Sequence, residues 1–154
     1  MVICLILITV LIFGCKAKEE DQNTENVQMG NPWKSYETLA DAESASGIKL
    51  GIPETIGTYT ADTFRVLNGE LLEVRYTDGE NEVTVRKQAG EEQDISGDYT
   101  EYPTITVTDL EGGSVTERTD SSVSSAIISF GGYSWSIHSP CDVSEFFIKA
   151  VINP

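Results

Sequence analysis

Apolar and polar residues alternate along several stretches of the chain between residues 64 and 137, and glycine-containing turns separate these stretches. The clearest turn is Asn68-Gly69, because alternating apolar residues occupy positions 64–66 before it and 72–76 after it. A period of two residues places successive side chains on opposite faces of a strand, and Asn-Gly is a strong signal for a two-residue β-hairpin. The pattern predicts an antiparallel sheet with one covered face and one wetter face.

Further turn signals extend this sheet along the chain. Asp78-Gly79 leads into another alternating run, whereas residues 90–101 lack alternation and are predicted to form a loop. The predicted strands contain residues 64–66, 72–76, 83–85, 105–107, 115, 126–130 and 133–137.

A helix is predicted at each end of the strand region. Thr38 followed by Asp41 is typical of a helix start, and Gly47 is a natural stop, so a short helix of about two turns lies between them. Near the C-terminus, Asp142 with Glu145 predicts a second start, and Ser139-Pro140 is a competing one.

The second helix carries an apolar face that would pack against the sheet. Cys141 and Phe146 would contact each other across the helix start, and Phe146, Phe147, Ala150 and Val151 would be buried. The fold class predicted from these elements is α+β, with an antiparallel sheet of about six to seven strands packed by a short N-terminal helix and a C-terminal helix.

The N-terminal segment, residues 1–14, contains no charged side chain and is almost wholly apolar. A helix of that length spans about 21 Å, which is short of the roughly 30 Å hydrocarbon core of a bilayer. The segment ends at Ile12-Phe13-Gly14-Cys15, which resembles the lipobox of bacterial lipoproteins. The resemblance implies a signal peptide over residues 1–14, acylation of Cys15 and a location on the outer face of the cytoplasmic membrane. A plain signal peptide or an uncleaved anchor is the alternative.

After the lipidated cysteine, residues 15–30 read as a flexible acidic linker with little apolar content, and residues 31–154 read as a single domain. Removal of Cys4 with the signal and acylation of Cys15 would leave Cys141 as the single free thiol. An intramolecular disulfide is therefore not expected.

The chain is strongly acidic, with 25 acidic and 10 basic residues and a net charge of -15. Residues 31–154 hold 21 of these acids and 8 of the bases, a net charge of -13. Such a surface repels phosphate backbones, so we expect no nucleic-acid partner.

The predicted loop at residues 90–101 concentrates acidic side chains without a base. Asp94, Ser96 and Asp98 place oxygen atoms at alternate positions, which partly matches the opening of a calcium-binding loop, but the glycine and the closing Glu of that loop are misplaced. No cofactor is expected, with a weak Ca²⁺ site as the alternative. The acids would otherwise cap backbone N–H groups and pair with Arg75, Arg86 or Lys87. The candidate ligand or cation loop comprises Glu91, Glu92, Asp94, Ser96 and Asp98.

His138 is the only histidine, and it shares a strand face with Ser134 and Ser136. Residues two apart on a strand rarely orient for proton transfer, so nucleophilic catalysis is not expected and no catalytic residue is assigned. Among the aromatic residues, Trp33 is predicted to plug an edge of the core. Tyr133 and Trp135 are predicted to lie in the core or to line a groove, and the pattern does not separate these two roles.

A series of landmarks spreads over residues 31–154: Asn31-Pro32-Trp33, Leu39, Ala42, Gly47, Pro53, Glu73-Val74-Arg75-Tyr76, Arg86-Lys87, Gly90, Asp94-Ile95-Ser96-Gly97-Asp98-Tyr99 and Tyr133-Ser134-Trp135-Ser136-Ile137. Together they resemble a family of small lipoproteins of Gram-positive, mainly clostridial, bacteria that carry an uncharacterised domain (domain of unknown function 4367-like). The resemblance implies the extracytoplasmic address and the fold, and it implies no activity because the family has none established.

The function expected from the sequence is that of a lipid-anchored, extracytoplasmic binding or sensing domain without enzymatic activity. Its partners would be the membrane, through the lipid anchor, and a protein or envelope component. One alternative is a carrier or chaperone for a lipid or another apolar envelope component, held between the sheet and its helices. Another is a carboxylate-dependent hydrolase.

Overall fold

The computed structural model describes residues 31–154. The predicted signal peptide (1–14), the predicted lipidation site Cys15 and the predicted linker (15–30) lie outside the described residues. Within residues 31–154, no helix is both long enough and apolar enough to cross a membrane.

The elements in chain order are β1 (Trp33–Tyr36), α1 (Leu39–Ser46), β2 (Thr55–Ile56), β3 (Tyr59–Leu67), β4 (Leu71–Thr77), β5 (Glu82–Ala89), β6 (Thr104–Leu110), β7 (Gly113–Thr119), β8 (Val123–Phe130), β9 (Tyr133–Pro140) and α2 (Cys141–Ile152).

The strands form one antiparallel sheet in the order β1-β3-β4-β5-β9-β8-β7-β6, with β2 beside β3. This arrangement confirms the α+β class with a short N-terminal helix and a C-terminal helix. The sheet has nine strands, two more than the seven in the predicted pattern. The additional strands, β1 and β2, are four and two residues long, which is too short for alternation to be visible in the sequence.

Strands β5 and β9 are neighbours in the sheet although β6, β7 and β8 lie between them in the chain. Their register places Thr84 opposite His138 and Arg86 opposite Ser136. The segment between β5 and β6, which was predicted to be a loop, contains no strand or helix over residues 90–103.

The hydrophobic core lies between the helices and one face of the sheet. Alternate residues of β4, such as Val74 and Tyr76, are fully buried there, and α2 contributes Phe147. The rings of Tyr76 and Phe147 meet edge to face with their centroids 5.2 Å apart. The Tyr76 hydroxyl donates to the carbonyl of Pro53 at 3.0 Å, so its buried polar atom is satisfied.

The predicted start and stop of α1 are confirmed. The Thr38 hydroxyl accepts the Asp41 N–H at 3.2 Å and donates to the Asp41 carboxylate at 2.7 Å. Gly47 ends the helix in the left-handed conformation, with φ of 69°.

The predicted start of α2 at Asp142 is wrong, because the helix begins at Cys141 directly after Pro140, the last residue of β9. The predicted burial of Phe146 is also wrong, since this side chain is 62% exposed. Phe147 and Val151, one helical turn apart, form the buried stripe, and Phe146 lies about 100° away from Phe147 around the helix axis.

The second face of the sheet is more covered than the alternation predicted. Ser134 and Ser136 on β9 point away from the core, yet both are buried. Residues 90–103 lie against this face: the Ser134 hydroxyl donates to the Gly90 carbonyl at 2.9 Å and accepts the Gln93 N–H at 3.0 Å. A long connection therefore supplies a second layer that strand periodicity alone does not reveal.

Candidate functional site

A carboxylate surrounded by arginines lies on the second face of the sheet, between β3 and β5. Glu73 on β4 has Arg65 of β3 and Arg86 of β5 as its cross-strand partners, and Arg75 follows two residues later on the same face. The Glu73 side chain is fully buried. It accepts from Arg65 Nε at 2.9 Å, Arg75 Nε at 3.0 Å and Arg86 Nε at 2.9 Å.

The ionised form of this cluster is stabilised by its own contacts. Burial would raise the pKa of Glu73, but hydrogen bonds from the three guanidinium groups hold it below its ordinary value. Burial likewise opposes the charge of Arg75, whereas the Glu73 carboxylate raises its pKa. Glu73, Arg65, Arg75 and Arg86 thus form a fixed, charged cluster, here named the arginine frame, against which neighbouring groups pack.

Trp33 packs on this frame. The guanidinium carbons of Arg65 and Arg86 lie 4.8 Å and 5.7 Å from its ring centroid, within cation–π range. The prediction that Trp33 plugs an edge of the hydrophobic core is wrong. The register of β1 on β3 pairs Trp33 with Leu67 on the second face, whereas Tyr36 packs against the core.

A cleft of about 620 Å³ opens beside Trp33, and we call it the Trp33 cleft. The sheet forms one wall and residues 93–99 form the other. The Tyr99 side chain is 95% exposed at its rim, and the side-chain amides of Gln88 and Gln93 make no hydrogen bond to any residue within 31–154. The lining residues are Trp33, Leu67, Leu71, Arg86, Gln88, Gln93, Asp94, Ile95, Ser96, Gly97, Asp98 and Tyr99.

Arg86 joins the frame to the loop wall. Besides its contact with Glu73, its Nη1 donates to the carbonyl of Ile95 at 3.2 Å and to that of Ser96. The Ile95 side chain is buried beneath the loop. The loop wall is therefore held by a charge-assisted contact and an apolar anchor.

Three of the four acids of the predicted ligand or cation loop, Glu91, Asp94 and Asp98, accept hydrogen bonds from nearby donors. Asp94 accepts from the N–H and hydroxyl of Ser96 and from Arg118 Nη2 at 2.9 Å. Glu91 accepts the Gly132 N–H at 2.9 Å. These acids thus cap backbone N–H groups, as expected if the loop binds no cation. The basic residue that pairs with Asp94 is Arg118, and not Arg75, Arg86 or Lys87 as predicted.

No group of three or more His, Cys, Asp or Glu side chains within residues 31–154 is arranged to hold a metal ion. Glu92, the remaining acid of the predicted loop, is exposed and has a positive φ of 60°. The oxygen atoms of Asp94, Ser96 and Asp98 accept from backbone N–H groups in tight turns, and both carboxylates also accept from side chains, namely Ser96 and Arg118 for Asp94 and Tyr102 for Asp98.

Asp98 lies at the meeting point of the loop and His138. Burial would raise the pKa of Asp98. Hydrogen bonds that its carboxylate accepts from the Tyr102 hydroxyl at 2.6 Å and from the Thr100 N–H at 2.9 Å instead lower the pKa to about 2. Burial and the Asp98 carboxylate raise the pKa of Tyr102 to about 12. His138 Nδ1 is 3.7 Å from Asp98 Oδ2, beyond hydrogen-bond distance.

His138 is exposed, and it lines a smaller cavity of about 260 Å³ with Arg86, Asp98 and Ser136. Within residues 31–154, no hydrogen bond joins His138 to Ser134 or Ser136. The proximity of Asp98 to His138 was not predicted, because these residues are 40 positions apart in the chain.

Tyr133 and Trp135, the predicted groove or core residues, lie on the helix side of the sheet around the amino group of Lys87. Both ring centroids are 4.2 Å from Lys87 Nζ, which also donates to the carbonyls of Lys49 at 2.6 Å and Leu50 at 3.2 Å. Trp135 is buried in the core and Tyr133 is half-buried. Burial lowers the pKa of Lys87, although the Glu43 carboxylate opposes this effect.

A smaller apolar cavity of about 230 Å³ lies between α2 and the turn that joins β2 to β3. Tyr59 and Phe147 form its floor and the exposed Phe146 forms part of its rim. It lies between the sheet and the C-terminal helix, where the carrier alternative requires a cavity.

The arginine frame was missed by the sequence analysis, although the sequence contains a signal for it. Glu73 and Arg75 are two residues apart in a strand that is otherwise strongly apolar, so they share the face opposite to Val74. Charged residues on the non-core face of neighbouring strands are candidates for a cross-strand network.

None of the protein-family models, curated proteins or solved structures compared with the chain matches it. The resemblance to the clostridial lipoprotein family therefore stays a prediction.

Proposed function

We propose that the chain is a non-enzymatic binding or sensing domain, anchored by a lipid on Cys15 to the outer face of the cytoplasmic membrane, and that the Trp33 cleft is its binding site. This proposal rests on one observation: Arg86, which lines the cleft, also donates a hydrogen bond to the buried carboxylate of Glu73. Rigid support of this kind lowers the entropy lost when a ligand is bound.

The cleft supplies several kinds of contact at short range. Trp33 and Tyr99 offer aromatic surface, Gln88 and Gln93 offer amides with both a donor and an acceptor, and Arg86 offers guanidinium N–H groups. Asp94 and Asp98 in the same wall, together with the domain charge of -13, disfavour a polyanion. The ligand we propose is a polar envelope component that combines uncharged hydrogen-bonding groups with a flat or apolar surface.

Soluble peptidoglycan fragments are the probe of choice, because they combine acetamido sugars with short peptides. Isothermal titration calorimetry should detect their binding to the wild-type protein. Tyr99→Ala should weaken it about tenfold, the equivalent of roughly 1.4 kcal/mol. Because Tyr99 is 95% exposed, its removal should leave stability unchanged.

The matched control is Thr108→Ala, an exposed residue on β6 outside the cleft lining, which should bind like the wild type. Equal affinity in wild type and Tyr99→Ala would place binding elsewhere on the molecule.

The anchor is proposed from the uncharged apolar segment before Cys15. Metabolic labelling with radioactive palmitate should mark the wild-type chain and not Cys15→Ser, and the labelled chain should fractionate with membranes. An unlabelled wild-type chain found in the cytosol would contradict the proposed location.

A carrier function for an apolar molecule is a second candidate, favoured by the cavity at Phe146. A large exposed aromatic residue beside an apolar cavity is a feature of lipid and protein contact sites. A bound lipid that is lost on Phe146→Ala but kept on Tyr99→Ala would favour the carrier over the Trp33 cleft.

A further inference from the structure

Strand β6 forms one edge of the described sheet, and it pairs there with β7 alone. Its seven pairs with β7 run without a bulge from Thr104 to Leu110, and all its residues except Leu110 are exposed. The strand contains no lysine and no proline, which are residues that commonly protect an edge from pairing. A row of backbone N–H and C=O groups that no bulge interrupts is thus available for pairing between Thr104 and Thr108.

The side chains of β6 are self-complementary about Thr106. Ile105 and Val107 lie on one face and are 62% and 64% exposed, while Thr104, Thr106 and Thr108 lie on the other. Cross-strand pairs of β-branched residues and pairs of threonines both stabilise antiparallel sheets.

We propose that β6 pairs antiparallel with β6 of a second copy of this chain, with the two-fold axis at Thr106. In this register, each Ile105 lies opposite Val107 of the other copy, and each Thr104 lies opposite Thr108. The ladder ends where Asp109 meets Pro103, which has no N–H to donate. A register centred on Val107 would instead place Ile105 opposite the carboxylate of Asp109, so the axis at Thr106 is favoured.

This association is weak. A ladder of five residue pairs buries less surface than the roughly 1,200 Å² of a stable interface. Beyond its ends, Glu101 of one copy approaches Glu111 of the other, and both domains are acidic. Pairing should therefore strengthen as salt screens this repulsion.

Cysteine cross-linking in the full chain tests the proposed register between the two β6 strands. Every variant carries Cys141→Ser, and the variant without an added cysteine is the blank. Thr106→Cys places the two thiols opposite each other across the axis, at a separation suited to a disulfide. Thr104→Cys places them about 13 Å apart along the strands, but a mixture of Thr104→Cys and Thr108→Cys chains brings unlike thiols together. Mild oxidation at high protein concentration, followed by non-reducing electrophoresis, reports the linked dimer.

Thr106→Cys and the mixture should each give at least tenfold more linked dimer than Thr104→Cys alone, and added salt should increase the yield. Val107→Lys, placed on the exposed face, should reduce linkage of Thr106→Cys without unfolding the protein. Equal linkage of Thr106→Cys and Thr104→Cys would indicate random collision and overturn the proposal. Absence of a Thr106→Cys dimer above the blank would overturn it as well.

Discussion

Glu73 and Arg86 are cross-strand partners on β4 and β5, and their side chains meet at 2.9 Å on the sheet face opposite to the helices. The same guanidinium donates to the carbonyls of Ile95 and Ser96, so the position of the loop wall depends on a buried carboxylate of β4. A change at Glu73 should affect both the stability of the fold and the shape of the Trp33 cleft.

Glu73→Gln should destabilise the protein by about 3–5 kcal/mol, because it leaves three partly buried guanidinium groups without their shared counter-charge. Urea unfolding measures the free energy. Glu82→Gln is the matched control, since that half-exposed carboxylate has Arg75 as its ion-pair partner within residues 31–154 and its loss should lower the free energy of unfolding by less than about 1 kcal/mol. If the free energy of unfolding fell by a similar amount in the two variants, the buried Glu73 carboxylate would have no special role in stability.

Acid should destabilise the protein partly through Asp98. Its pKa is about 2 in the folded protein and about 3.9 in an unfolded chain, so its contribution to stability is complete above about pH 4 and is lost as the pH falls towards 2. Urea unfolding of Asp98→Asn between pH 5 and pH 2 should show a shallower loss than the wild type. Asp62→Asn, an exposed site on β3, should follow the wild-type profile. Parallel profiles for wild type and Asp98→Asn would refute the assignment.

Phe147→Ala should lower the free energy of unfolding by about 3–5 kcal/mol, because Phe147 is fully buried against Tyr59 and Tyr76. Phe146→Ala, one residue earlier, should cost less than about 1 kcal/mol because its side chain is mostly exposed. Thermal or urea unfolding distinguishes the two variants. A larger loss for Phe146→Ala would mean that α2 is rotated about its axis relative to this structure.

Gly113→Ala should destabilise more than Gly131→Ala. A Cβ at Gly113 would lie 1.9 Å from the Ser129 carbonyl oxygen on the paired strand, so β7 and β8 would have to separate. At Gly131 a Cβ meets no atom within 4 Å, and the left-handed φ of 64° alone should cost roughly 1 kcal/mol. Equal unfolding free energies for the two variants would contradict the close approach of β7 and β8.

Elements defined by local interactions were predicted well. The cap of α1 depends on Thr38 and Asp41 within one turn. The hairpin of β3 and β4 forms at Asn68-Gly69 as predicted, but the pairing of Leu67 with Leu71 leaves three residues in its turn rather than two. The start of α2 was misplaced because it is set by the end of β9 rather than by a side-chain cap.

Features that depend on long-range register were not predicted. The face on which Trp33 lies follows from the pairing of β1 with β3, and the Trp33 cleft follows from the path of residues 90–103 across β5 and β9. Periodicity assigns residues to faces within one strand, but it does not show which distant segment covers a face.

Native mass spectrometry of the full chain purified from the membranes of its host tests the binding proposal most directly. The wild-type protein should retain a polar envelope fragment, which Tyr99→Ala with Gln88→Ala should lose and Phe146→Ala should keep. Retention of the fragment by the Tyr99 and Gln88 double variant, or its loss from Phe146→Ala alone, would contradict the assignment of the Trp33 cleft as the binding site.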